Sequence, residues 1–279
     1  MKTNLVDVYT SDGRYLRALE GLAGPVIVSV TQRRADALVV SVSGSAGDTR
    51  RALASVRRIL GLDRDLADFY RHARAIPWLV RLARSMRGLR PPRYPALFEA
   101  CANAVLFQQV SLHAASAIMR RLILALSTKV AYDGVPLAVF PSVEGFLAAD
   151  DGVVRAAGLS ARKLTTLRRV GEAIVTGAIS EAMLEECSSI DASLLLRGIK
   201  GVGPWTAAVI LLRGLGRLDI FPGNDSSVAA NLALVAGESV NVGPVVERLG
   251  SQCGMLYFCL LLARLEARGE IGRASDVAR

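Results

Sequence analysis

Aromatic side chains make up only 5% of this 279-residue chain, and it holds two histidines and four scattered cysteines. Cys101, Cys187, Cys253 and Cys259 have no C-x-x-C spacing and no neighbouring histidine, which excludes a disulfide scaffold, a zinc site and an iron-sulfur run. Buried, reduced thiols are the expectation. His72 and His113 stand alone, so neither suggests a metal site or a catalytic base. The longest greasy run, Met255 to Ala263, is too short to span a bilayer, and residues 1–13 hold no apolar stretch of signal-peptide length. A cytoplasmic protein without a membrane partner is expected, nucleoid-associated if the source is prokaryotic. What the chain does have is 52% apolar and 21% charged residues, which excludes disorder, collagen and a coiled-coil rod. Its 34 basic residues exceed the 25 acidic ones by nine, and all but Lys2, Lys129, Lys163 and Lys200 are arginines. Such an excess suits a polyanionic partner.

Residues 1–62 read as a small α+β domain. The β-branched runs Pro25 to Thr31 and Ala37 to Ser43 predict two strands around a charged turn, and Leu5 to Tyr9 suggests a third. Leu53, Val56 and Leu60 then share one helical face. From Asp63 to the end, segments of helical length alternate with short Gly, Pro and Ser breaks, predicting a mainly α body over 63–279.

The most informative stretch is Leu194 to Ala208. A short helix stops at Arg197-Gly198, Gly201 and Gly203 follow, and Pro204 sits where a new helix begins, its missing N–H costing nothing at a first helical position. Free amides at a positive helix end form a site for a phosphate oxygen that reads nucleic-acid backbone and not sequence. Lys200 and Arg197 add charge beside it. An ordinary helical turn is the bland alternative.

The hairpin Ile199-Lys-Gly-Val-Gly-Pro-Trp-Thr-Ala207 resembles that of the helix-hairpin-helix DNA glycosylases. Gly61 to Tyr70, Phe98-Glu99 with Phe107-Gln-Gln-Val-Ser111, and Gly158 to Lys163 look like segments of their DNA-3-methyladenine glycosylase II branch. The resemblance implies two helical subdomains flanking a DNA-binding cleft. The hairpin lies at about 194–214 and a catalytic loop at about 219–228, with phosphate contacts from Lys200, Gly201, Val202, Gly203 and Thr206. Carbonyls of Lys200 and Val202 are where a structural monovalent cation would sit; no other cofactor is implied.

Asp225, after the Pro222-Gly223 break, is locally a good helix N-cap. In the resembled family the matching residue is the catalytic aspartate, which stabilises positive charge on the deoxyribose as the glycosidic bond breaks. Asp219 is the rival acid. Trp205 occupies the slot where strand-cutting relatives carry a nucleophilic lysine, so the resemblance implies a monofunctional enzyme without lyase activity. Trp205, Tyr257 and Phe258 are the expected base pocket, while Val209 and Ser226 stand where that branch has aromatics. Gln109 matches the wedge that fills the hole left by an everted base.

Between Arg71 and Arg93 the sequence has seven arginines and no acid. Such a run is usually a solvated face, and contact with DNA phosphates is the functional alternative. The sequence thus points to a monomeric glycosylase that removes 3-methyladenine-type purines from damaged double-stranded DNA. Its alternatives are a non-catalytic damaged-DNA-binding protein and a glycosylase for deaminated or oxidised bases.

Overall fold

A computed structural model describes residues 4–225, 227–237 and 240–271. The chain opens with an antiparallel meander of four strands in sequential order: β1 (Asp7–Tyr9), β2 (Arg14–Leu19), β3 (Val26–Arg34) and β4 (Ala37–Ser43). Helix α1 (Thr49–Ile59) lays Ala52, Val56 and Ile59 against Tyr15, Leu19 and the valines of β3.

Strand β2 is absent from the sequence reading. It is buried almost throughout and carries a charged residue, Arg17, at its centre, so it shows neither polar alternation nor a clean apolar run. A second departure is the hairpin of β5 (Lys129–Tyr132) and β6 (Val135–Ala138), inside the region read as helical. It turns on Asp133 and Gly134, both with positive φ, as a two-residue hairpin loop requires. Leu137 packs with Val8, Leu16 and Ala18, so this hairpin covers the first sheet.

The helices follow as α2 (Ala67–Ala73), α3 (Pro77–Ser85), α4 (Leu97–Leu106), α5 (Leu112–Leu126), α6 (Val143–Ala148), α7 (Asp151–Ala156) and α8 (Ala161–Val175). They continue as α9 (Glu181–Glu186), α10 (Ser189–Arg197), α11 (Pro204–Ile210), α12 (Val228–Ala236), α13 (Val242–Leu249) and α14 (Gly254–Ala267). Helix α7 was not expected from the sequence, and α11 runs on into a wider π turn over Leu211–Leu215. The buried cysteines 101, 253 and 259 and the half-buried Cys187 are all unbridged.

Two lobes result, because the early helices α2 and α3 pack with the late helices α12 to α14 around Phe69, Leu79, Leu232 and Leu256. Helices α4 to α11 close over Phe98, Leu122 and Leu167 on one side and Leu184, Leu196 and Ile210 on the other. The segment 217–225 runs between the two lobes, with Leu218 and Phe221 against the first core and Ile220 against the other. Among the described residues no single helix is long and apolar enough to cross a membrane.

Candidate active site at the lobe junction

Asp225 sits on that crossing segment, half-buried, and receives donors from both lobes. Its Oδ2 accepts from Trp205 Nε1 of α11 at 3.1 Å and from the Tyr257 hydroxyl of α14 at 3.2 Å. Its Oδ1 accepts from the amide and hydroxyl of Ser227 at 2.8 and 2.7 Å. Burial pushes this carboxyl up, but the hydroxyl and amide of Ser227, the indole and the phenol outweigh it and hold the group below the ordinary carboxylate range. Burial and the adjacent Asp225 charge push the Tyr257 hydroxyl well up, so it stays protonated and donating.

All four donors are neutral. Among the described residues Asp225 has no arginine or lysine partner, so its negative charge is oriented and kept ionised without being cancelled. The N-cap role read from the sequence falls instead to Ser227, the residue before α12, and Asp225 organises the turn leading to it, accepting from the Ser227 amide and hydroxyl and, through its carbonyl, from the Val228 amide at 3.0 Å. Asp219, the rival, lies exposed in the turn after the π segment. Of the aromatics, Tyr257 reaches the carboxylate, whereas Phe258 is only 3% exposed and lies in the core beneath the Arg213 guanidinium, 5.7 Å from its ring centre. Val209 is buried in the core, and Ser226 lies outside the described residues.

The hairpin is tight for a stated reason. Gly201 has φ +105°, and a Cβ there would meet Thr166 Oγ1 of α8 at 2.1 Å. Lys200 is exposed at the tip, and the amides of Gly201 and Gly203 have no partner among the described residues. The Val202 amide is spent inside the turn on Ile199 O at 2.9 Å. Thr206 is 2% exposed, its hydroxyl turned inward. Of the five residues expected to hold phosphate, Lys200, Gly201 and Gly203 are the ones whose ammonium or amide groups are left uncommitted among the described residues.

Gln108 has a role that sequence reasoning missed. Its side chain donates to Gly201 O at 3.2 Å and to Thr206 Oγ1 at 2.7 Å, fastening the α4–α5 junction to the hairpin. Gln109 beside it is exposed with φ +52°, a left-handed backbone rare outside glycine. Lys163 of α8 donates to Leu106 O at 2.7 Å and caps the helix end just before it. Nothing in the sequence pair Gln108-Gln109 separates these two roles.

The hairpin carbonyls do not form a clear cage for a cation. Lys200 O accepts from Arg169 at 3.5 Å and Gly201 O from Gln108, leaving Val202 O without a side-chain donor among the described residues.

The HhH-GPD superfamily of base excision DNA repair proteins matches residues 102–239, which include the Gln109 junction, the hairpin and Asp225. The chain belongs to that superfamily. It is similar to the DNA-3-methyladenine glycosylase of Bacillus subtilis, 30% identical over 174 residues, 62% of this chain and 57% of that one. It is 35% identical over 217 residues to the probable bifunctional transcriptional activator/DNA repair enzyme AlkA of Mycobacterium tuberculosis, 77% of this chain and 42% of that one. The chain thus spans about half the length of these two relatives. The solved 3-methyladenine DNA-glycosylase from Archaeoglobus fulgidus has the same fold, with a TM-score of 0.79 and 25% identity over 92% of this chain and 89% of that one. The mainly helical HhH-GPD architecture behind a four-stranded sheet is therefore shared with that solved protein.

Proposed function

We propose that this HhH-GPD protein is a monofunctional DNA glycosylase that hydrolyses the N-glycosidic bond of alkylated purines of the 3-methyladenine type. The observation that carries the reading is the Asp225 carboxylate, ionised, half-open and unneutralised at the lobe junction, tied through Trp205 to the hairpin helix. Lys200 and the free amides of Gly201 and Gly203 grip the backbone of duplex DNA. Gln109 enters the stack as the damaged nucleotide turns out. Trp205 and Tyr257 flank the carboxylate that the sugar faces.

A purine alkylated on a ring nitrogen is already cationic, so it leaves with the electron pair of the C1′–N bond without needing a strong acid. Positive charge develops on C1′ and the ring oxygen of the sugar, opposite Asp225, which stabilises it. Water then adds to C1′, and its proton passes to Asp225 and on to solvent, leaving an abasic site. Trp205 stands in the slot of the lyase lysine, and Lys163 is committed to Leu106 O, so the strand stays intact. The reading makes the protein a monomer acting on cytoplasmic or nucleoid DNA.

The test is a panel of duplexes each bearing a single lesion. Wild type is expected to release 3-methyladenine. Asp225→Asn is expected to lose at least about a hundredfold in rate, the scale of a lost transition-state stabiliser, while keeping salt-sensitive DNA binding. Undiminished release by the variant would refute the mechanism. Release of only oxidised or deaminated bases would move the substrate class, and no release of any base with tight abasic-site binding would leave a recognition protein.

A further inference from the structure

The arginine run between α2 and α3 surrounds a trough that base excision leaves unused. A hollow of about 330 Å³ is floored by Tyr70, Val80 and Ala83 and rimmed by Arg74, Arg84 and Arg87. A second hollow of about 310 Å³ shares Tyr70 and Arg87 and continues to Arg90. All four arginines are exposed, and none has a carboxylate partner among the described residues. Of the run's other members, Arg71 pairs with Asp68, Arg93 is buried against Asp63, and Arg81 is exposed outside the lining. The one acid on the lining, Asp65, is engaged at 2.9 Å with the Ala67 amide at the start of α2. The negative ends of α2 and α3 favour arginines nearby but do not neutralise four of them.

We propose that this trough binds a single-stranded stretch of nucleic acid, with an unpaired base on the apolar floor beside Tyr70 and flanking phosphates on the guanidinium groups. A cationic groove with an aromatic platform is the chemistry by which single strands are held without regard to sequence. A duplex presents only phosphates to such a concave site and leaves the apolar floor empty. The proposal goes beyond base excision and does not need it.

The experiment reads fluorescence anisotropy of a labelled octathymidylate bound to the full chain, alone and with the hairpin cleft saturated by a duplex carrying an abasic-site analogue. The oligonucleotide is expected to bind in both cases. The double variant Arg84→Gln, Arg87→Gln should weaken that binding at least about tenfold. Its slope of log affinity against log salt should become shallower by about 1.4, two phosphate contacts at about 0.7 each. Lesion release from duplex and thermal stability should be unchanged. Displacement of the oligonucleotide by the duplex, undiminished binding by the variant, or stronger binding of an oligoglutamate peptide of equal charge would overturn the proposal.

Discussion

Two carboxylates of this protein, Glu99 and Asp225, occupy opposite electrostatic situations. Glu99 on α4 is 4% exposed and lies against Arg17 at 2.5 Å, and Arg17 reaches on to Asp7 at 2.6 Å. Burial pushes the Glu99 carboxyl up despite the pull of Arg17, and the three charges lock the first sheet to α4. Asp225 is half-open and held by four neutral donors. A carboxylate cancelled by a fixed cation has little left to offer a transient one, so the Glu99 arrangement can only brace the structure. Asp225 keeps its charge for a substrate.

The comparison breaks most readily at Arg17. Removing one partner of a buried ion network strands the others, at a cost of about 3–5 kcal/mol. Arg17→Met should therefore lower the thermal midpoint sharply in calorimetry, whereas Asp225→Asn should leave it nearly unchanged. Equal destabilisation by the two variants would mean that Asp225 is also a structural brace.

A smaller effect is expected at Gln108. Gln108→Ala removes two hydrogen bonds between the wedge junction and the hairpin, leaving the buried Thr206 hydroxyl unpaired, a loss of about 1–3 kcal/mol. Lesion release should fall in kcat while the affinity for a duplex that already lacks the base changes less, because no base has to be everted there. A uniform loss in both would place Gln108 in general strand binding.

The smallest and sharpest effect is at Tyr257. Asp225 has a depressed folded-state pKa, so it stays ionised from neutral pH down through the ordinary carboxylate range and takes up its proton only as pH falls through the lowered value. Tyr257→Phe removes one donor from the charged form and should move the acid limb of the pH–rate profile to higher pH. An unmoved limb would show that the phenol does not hold the carboxylate.

The hairpin and the Asp225 turn were legible in the sequence, and the Arg17 brace was not. Glycines, Pro204 and the Asp225 turn are local signals, because a positive φ, a helix start and a cap are each set by one or two residues. Arg17 and Gln108 find their partners 82 and 93–98 residues away, and no spacing rule announces such contacts. Strand β2 was hidden by the charge at its own centre, while the β5–β6 hairpin had carried a readable sign in Asp133-Gly134 between β-branched and aromatic residues. The aromatics show the same split, since the expected base pocket held Trp205, Tyr257 and Phe258 alike, yet only the first two donate to Asp225.

The central claim is that Asp225 presents an uncancelled negative charge to a positive one developing at C1′. The direct measurement compares affinities for two duplexes, one with a neutral tetrahydrofuran abasic analogue and one with a cationic pyrrolidine in its place. Wild type should prefer the cationic analogue by at least about tenfold, equivalent to 1.4 kcal/mol, and Asp225→Asn should lose that preference while binding the neutral analogue as before. Equal affinity of wild type for the two duplexes, or a preference that survives Asp225→Asn, would contradict the account.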